Sequence, residues 1–402
     1  MTSVRQSLKL VGKAASIKQL AHKRKASFPL SLRQFVGAPS LAKLAIEAKR
    51  GALRQQGIDV GAPQRDVQSM IFGGATQDFE RGSIYWHPNT AAHYLSGPIL
   101  DAYRSLKGPD FDPQTYRRPL GYPASDNTVD VDRNLEFVEF EFGSIYCIEG
   151  HFVFSIHQGL AGSLPKMGVP LFTRADRFRL AVGPITGTPS SSSRIDAVIA
   201  TIQSLWQGRI ALQAVDRPGE FVDLAVLVSI LRETNGMASS LEQSASLPAG
   251  ATLRERTLYN VVLKDKQGGI MNVAPHAVYI RADWERFGII HATDLHVSFR
   301  ADGFPGRFGN RFGQGYSYYN PNDAFRHFIR YANRLHRKGL LDLLLITGDL
   351  VDYQFERGHD RAMGGNFELF EQLILGQAPS PTGVPLGIAT WLCCRKPAMW
   401  VV

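Results

Sequence analysis

A block of residues that returns after about 60 positions constrains this chain most, because a recurring block requires two copies of one structural unit. Val60-Gly-Ala-Pro-Gln-Arg-Asp66 recurs as Leu120-Gly-Tyr-Pro-Ala-Ser-Asp126. Phe79-Glu-Arg-Gly-Ser-Ile-Tyr85 recurs as Phe140-Glu-Phe-Gly-Ser-Ile-Tyr146, and the two blocks keep their order. Each copy reads as a Gly-Pro turn leading into a strand at Gly-Ser-Ile-Tyr. After the first copy, Ala91 to Leu106 carries apolar residues at helical spacing.

The rest of the 402 residues leaves room for two or three domains, and 44% hydrophobic with 20% charged residues is the composition of a soluble globular protein. The formal charge of +9 is unevenly placed: about a dozen Lys and Arg before residue 57 face Glu47 alone. Residues 1–56 are therefore expected to form a basic, partly helical or disordered tail. Such a tail offers contacts to nucleic acid or an anionic membrane, but a solvated extension is the preferred reading. No run of about 18 apolar residues predicts a transmembrane helix. Lys9, Lys13 and Lys18 interrupt every candidate secretory signal, which leaves an organelle transit peptide as an alternative and the cytoplasm as the default compartment. Cys147, Cys393 and Cys394 have neither zinc spacing nor a disulfide framework.

Over residues 57–165 the repeat resembles the LGFP-type repeat of bacterial cell-envelope proteins, carried by Gly-Ser-Ile-Tyr-Trp and Leu-Gly-Tyr-Pro-x-Ser-Asp. The first copy fits well. In the second, Cys147 replaces the Trp and the sequence after Gly150 diverges. The resemblance implies binding rather than catalysis, with cell-wall glycan as a partner. Tyr85 and Trp86 would stack on sugars if exposed, although aromatics at strand spacing belong more often to a core.

Residues 166–283 show short β-rich runs between Gly, Pro and Ser stretches: 178–182, 221–231, 258–263 and 277–280, with a helix at 195–205. They predict a small sandwich-like connecting domain without a catalytic grouping. Its His276 stands alone after a Pro and reads as a satisfied structural residue.

Residues 284–402 carry the chemistry. Phe287-Gly-Ile-Ile-His-Ala-Thr293 reads as a buried parallel strand ending at Asp294-Leu-His296. Asn322 and Asp323 cap a helix to about Lys338, with Phe325, Phe328, Ile329, Ala332 and Leu335 on one face. Leu340 to Thr347 forms the next strand and ends at Gly348-Asp349-Leu-Val-Asp352. Both polar clusters thus fall at the carboxyl ends of parallel strands, where open α/β sheets place ligands. Extended-chain alternation would turn Asp294 and His296 to one side, so a carboxylate and an imidazole can share an ion that Asp349 also reaches. Gly348, without Cβ, allows a sharp turn. Oxygen and imidazole donors without thiolate suit Mn, Fe, Zn or Mg.

In this order the two motifs resemble the opening of the calcineurin-like metallophosphoesterases over residues 285–390. The resemblance implies a two-metal site that hydrolyses phosphate mono- or diesters with a metal-activated water, with Asp294, His296 and Asp349 as ligands and Asp352 orienting its neighbours. The family's later Gly-Asn-His and Gly-His-x-His motifs do not follow Asp352. Gly358-His359-Asp360 and Gly365-Asn366-Phe367 read as a loop and a helix start (Phe367 to Leu375), and Val384-Pro-Leu386 as the start of another strand. The apolar ending from Gly387 has no evident partner, so a truncated or frame-shifted reading with weak or no activity is expected. The Gly-rich stretch 303–319, with Arg307 and Arg311, offers cations to a phosphate or is a plain insertion. It lacks the ending of a P-loop. The fold class expected is multidomain α/β plus β-rich: a repeat module, a β-sandwich-like connector and an incomplete metallophosphoesterase sheet. The alternative function is a non-catalytic glycan-binding protein with a vestigial metal site.

Overall fold

A computed structural model describes residues 38–110, 120–158, 165, 167, 169–187, 194–232, 239–304, 319–352, 365–381, 383 and 392–395. It is mixed α/β, with several β-sheets and few helices. The chain divides into two compact units, Met1–Ala92 and His93–Val402.

In the first unit, helix α1 (Ala38–Gln55) places Ala42, Ile46 and Leu53 on one face, all buried. That helix is no solvated extension: its apolar stripe lies on β2 (Ala75–Phe79) and β3 (Gly82–His87). Arg50 donates to the Gly61 carbonyl at 3.0 Å and stands over the Phe79 ring. Residues 1–37, which hold most of the basic tail, lie outside the described residues. β1 (Gln68–Ser69), β2 and β3 form an antiparallel meander in a four-stranded sheet completed by β4 (Ala91–Leu95). The boundary between the units falls within β4. Helix α2 begins only at Gly97 and ends at Ser105, so the apolar spacing from Ala91 belongs first to a strand. Gly97, with φ +57°, and Pro98 in the first turn set the switch.

The repeat has a specific physical core. Gly61 sits at φ +81°, and a Cβ there would meet Oε2 of Glu80 at 2.6 Å. The Glu80 carboxylate accepts the Ala62 amide at 3.1 Å. In the second copy Gly121 sits at φ +73° against Glu141, which accepts the Tyr122 amide at 2.8 Å. Thus the Gly of one recurring block and the Glu of the other are a contacting pair, which explains why the blocks recur together.

In the second unit, β5 (Thr128–Asp130), β6 (Leu135–Phe140), β7 (Gly143–Ile148) and β8 (Phe152–His157) repeat the four-strand order, although the sequence after Gly150 diverges. Phe152, Phe154 and Ile156 of β8 enter one hydrophobic core with the following segment, so their partners differ from those of a free repeat. Val153 and Thr186 exchange backbone hydrogen bonds of 2.8 and 2.9 Å, tying the two segments together.

That core is closed by a five-stranded and a three-stranded sheet. The first has the order β12 (Phe221–Asp223), β11 (Ile210–Ala214), β15 (Thr257–Lys264), β16 (Ile270–Ile280), β9 (Leu171–Thr173). The second has the order β10 (Leu180–Pro184), β14 (Ser239–Ser246), β13 (Ala225–Arg232). Helix α3 (Ile195–Trp206) buries Ile195, Val198, Ile202 and Trp206 against them. His276 is buried at 1% exposure in a left-handed conformation (φ +49°), yet among the described residues neither ring nitrogen finds a partner. It is a core residue but not a satisfied one, and burial pushes its pKa down to about 4.

The last segment builds a parallel sheet of order β17 (Ile289–Thr293), β18 (Leu343–Thr347), β19 (Leu392–Arg395). Residues 392–395 of the apolar ending do find a strand partner, β18, while 387–391 and 396–402 lie outside the described residues. Helix α4 (Pro321–Arg337) is capped by the side chain of Asn320, which accepts the Asn322 amide, rather than by Asn322 or Asp323. Its Phe325, Ile329 and Ala332 pack with Leu344 and Ile346 of β18 and with Leu369, Phe370 and Leu373 of α5 (Asn366–Ile374). One face of the sheet is covered in this way. The other is not fully buried: exposure alternates along β17, and Ile289 is 55% exposed, so this is a half-buried strand. Residues 353–364 and 384–391, including Gly358-His359-Asp360 and Val384 to Leu386, lie outside the described residues, as do Arg307 and Arg311.

Candidate metal centre

Parallel pairing of β17 with β18 sets Thr293 opposite Thr347, so the two polar motifs leave the sheet side by side. The pairing continues beyond the strands. Asp294 N donates to Thr347 O at 3.2 Å, His296 N to Asp349 O at 3.1 Å and Val297 N to Leu350 O at 3.1 Å. Backbone bonds thus fix both tips before any side chain is considered.

The tip is not an extended chain. Asp294 (φ +52°), His296 (φ +47°) and Gly348 (φ +68°) all occupy the left-handed region. For the two non-glycine residues this costs about 1–2 kcal/mol each, and such strain collects at functional sites. The expected one-sided alternation is thereby replaced by two left-handed residues, and the side chains still converge. One ligand atom each of Asp294, His296 and Asp349 lies within 4.8 Å of the others. Among the described residues this is the one group of at least three such side chains close enough to share an ion. Bonds of about 2.1 Å allow ligand atoms no more than about 4.2 Å apart, so at most a few tenths of an ångström of closure per side chain is needed.

Gly348 is required by the packing. A Cβ there would stand 2.5 Å from Oδ1 of Asp294, the same oxygen that accepts the Asp349 amide at 3.3 Å. The Asp294 carboxyl is held below the usual carboxylate range by a hydrogen bond from Thr293, then by the Asp349 amide and the nearby His296. It is thus an anion ready to bind a cation at neutral pH. Asp352 sits with Oδ1 3.7 Å from Nδ1 of His296, beyond hydrogen-bond reach but within the range of an ion pair, and its amide donates to Val297 O at 3.1 Å. All three candidate ligands are exposed.

Strand alternation also gathers groups that the motifs alone did not single out. His291 and Thr293 of β17 share the open face with Thr347 of β18, and His291 Nε2 is 2.7 Å from Thr347 Oγ1. Their period-2 spacing was the available signal. In the repeat, by contrast, Tyr85 is 5% exposed and Trp86 half-buried, so the aromatics proposed for sugar stacking are largely core residues.

Residues 60–110 match the LGFP repeat. A search of curated proteins found no match to the chain.

Proposed function

We propose that the tips of β17 and β18 form a divalent-cation site that serves phosphoester hydrolysis. The observation that carries this reading is the convergence of two carboxylates and an imidazole at adjacent parallel strand ends, on a backbone with left-handed residues at Asp294 and His296. Asp294, His296 and Asp349 would hold the ion, and their hard oxygen and borderline nitrogen donors suit Mn, Fe, Zn or Mg. When bound, the ion supplies Lewis-acid charge to a phosphoryl oxygen and acidifies a water.

The chain's own residues do the rest. Thr293 and the Asp349 amide hydrogen-bond Asp294 and push its pKa further below the ordinary carboxylate value. Asp352, with Oδ1 3.7 Å from Nδ1 of His296, stands beside the ring and would help orient it. Gly348 lets the backbone pass without displacing Asp294. The test is calorimetric titration of the full chain with Mn²⁺, together with turnover of bis-p-nitrophenyl phosphate. Affinity should fall at least about tenfold in Asp349→Asn, in line with the loss of a ligating carboxylate. Absence of Mn²⁺ binding, or turnover indifferent to both chelator and Asp349→Asn, overturns the reading.

The LGFP match at residues 60–110 favours a second reading, in which the chain is a non-catalytic glycan-binding protein and the metal site is vestigial. Retention on cell-wall glycan without metal-dependent turnover would select it. Contact of the basic tail with nucleic acid or membrane remains a separate proposal, since its residues are largely outside those described.

A further inference from the structure

Arg209 is an unusual residue for its position. It is 6% exposed, and among the described residues its side chain makes one hydrogen bond, from Nε to the Lys264 carbonyl at 2.8 Å. No carboxylate among the described residues pairs with it. Its stem is buried while the two Nη groups, without a partner among the described residues, stay open to solvent, so the fork is available to an anionic ligand.

Arg209 lines a cleft of about 640 Å³ between the β6–β7 turn, the residue after β8 and the β15–β16 turn. That volume is in the range of small-molecule sites, about 300–1,000 Å³. The side-chain amide of Gln158, also on the wall, has no partner among the described residues either. The acidic groups around the cleft are already engaged. Glu139 accepts from Ser144 and Lys266. Asp265 caps its own turn through the Gln267 and Gly269 amides at 2.9 and 2.7 Å, and Glu141 holds the Tyr122 amide. What remains unmet is a planar fork of donors and one amide.

We propose that this cleft binds a small monocarboxylate, gripped by the Arg209 guanidinium with Gln158 beside it. The fork geometry matches a carboxylate in two parallel hydrogen bonds. The charge of the wall selects within the anions. Three carboxylates, Glu139, Glu141 and Asp265, line the cleft with Arg209 and Lys266, so each added negative charge on the ligand is repelled, which disfavours a phosphate dianion over a monoanion. The body of the ligand is therefore neutral or cationic, as in an amino acid derivative. The site is independent of the strand-tip motifs.

The experiment titrates the full-length protein with N-acetylglycine, N-acetylglycinamide and inorganic phosphate, followed by saturation-transfer NMR and calorimetry. N-acetylglycine should bind, and the amide and phosphate should each be at least about tenfold weaker. Arg209→Lys, which keeps the charge and loses the fork, should weaken N-acetylglycine by about tenfold. If that variant does not fold, Gln158→Leu should weaken it severalfold in a chain that retains Arg209. The proposal is overturned if folded wild-type protein does not bind N-acetylglycine. Equal binding of the amide or phosphate, or unchanged affinity in both variants, overturns it as well.

Discussion

Replacing Asp342 with Asn should cost about 3–5 kcal/mol, the scale for breaking a buried ion pair by removing one partner. Asp342 is 1% exposed and immediately precedes β18. Its Oδ1 accepts from Arg256 Nη2 at 2.9 Å and from the Tyr279 hydroxyl at 2.8 Å. Its Oδ2 accepts the Gly288 amide at 2.9 Å and meets Arg281 as an ion pair. An Asn can offer only one acceptor oxygen, so one pair of donors would face an NH₂ group. Hydrogen bonds to a charged group contribute about 1.5–3 kcal/mol each, and two are lost. Arg256 is about a third exposed and recovers some of this in water, whereas Arg281 is buried and cannot. Burial and the adjacent carboxylate push the Tyr279 phenol well above its ordinary pKa, so it remains a donor and cannot rescue the site by ionising. Trp284 packs against Phe172 and Phe287 in the same junction and reports on it by fluorescence during urea unfolding. Tyr279→Phe is the control and should cost less, about 1–2 kcal/mol, because the carboxylate keeps its other contacts. A loss below about 1 kcal/mol in Asp342→Asn, or an equal loss in Tyr279→Phe, would refute the reasoning.

Two further outcomes follow from single residues. Gly348→Ala should lower Mn²⁺ affinity in a chain whose circular dichroism is unchanged, because its Cβ collides with Asp294 and its φ of +68° costs about 1–2 kcal/mol; unchanged affinity would remove Gly348 from the argument. His157 and His276 are buried with pKa values lowered to about 4, against about 6.5 unfolded, so their stability is complete above pH 6.5 and is lost as pH falls from there through about 4. Between pH 7.5 and 4.5 each should contribute about 2–3 kcal/mol of loss in urea unfolding. His157→Phe should remove its share of that slope, and an identical slope in the variant would contradict the assignment.

Local chemistry was legible in the residues themselves. The recurring blocks place a glycine and a glutamate 19 or 20 positions apart, and the fold brings Gly61 to Glu80 and Gly121 to Glu141. The apolar stripe of α4, the strands at 289–293 and 343–347, and the acidic strand ends were readable for the same reason: period and punctuation are properties of neighbours in sequence. Three matters were settled only by tertiary structure. The spacing of β8 does not reveal that its phenylalanines belong to the core of the following sheets, because burial depends on which surface arrives. The left-handed backbone at Asp294 and His296 is set by hydrogen bonds to Thr347 and Asp349, more than 50 residues away in sequence. Arg209 reads as an ordinary charge after a glycine, and only long-range packing buries its stem and leaves its Nη groups without a carboxylate among the described residues.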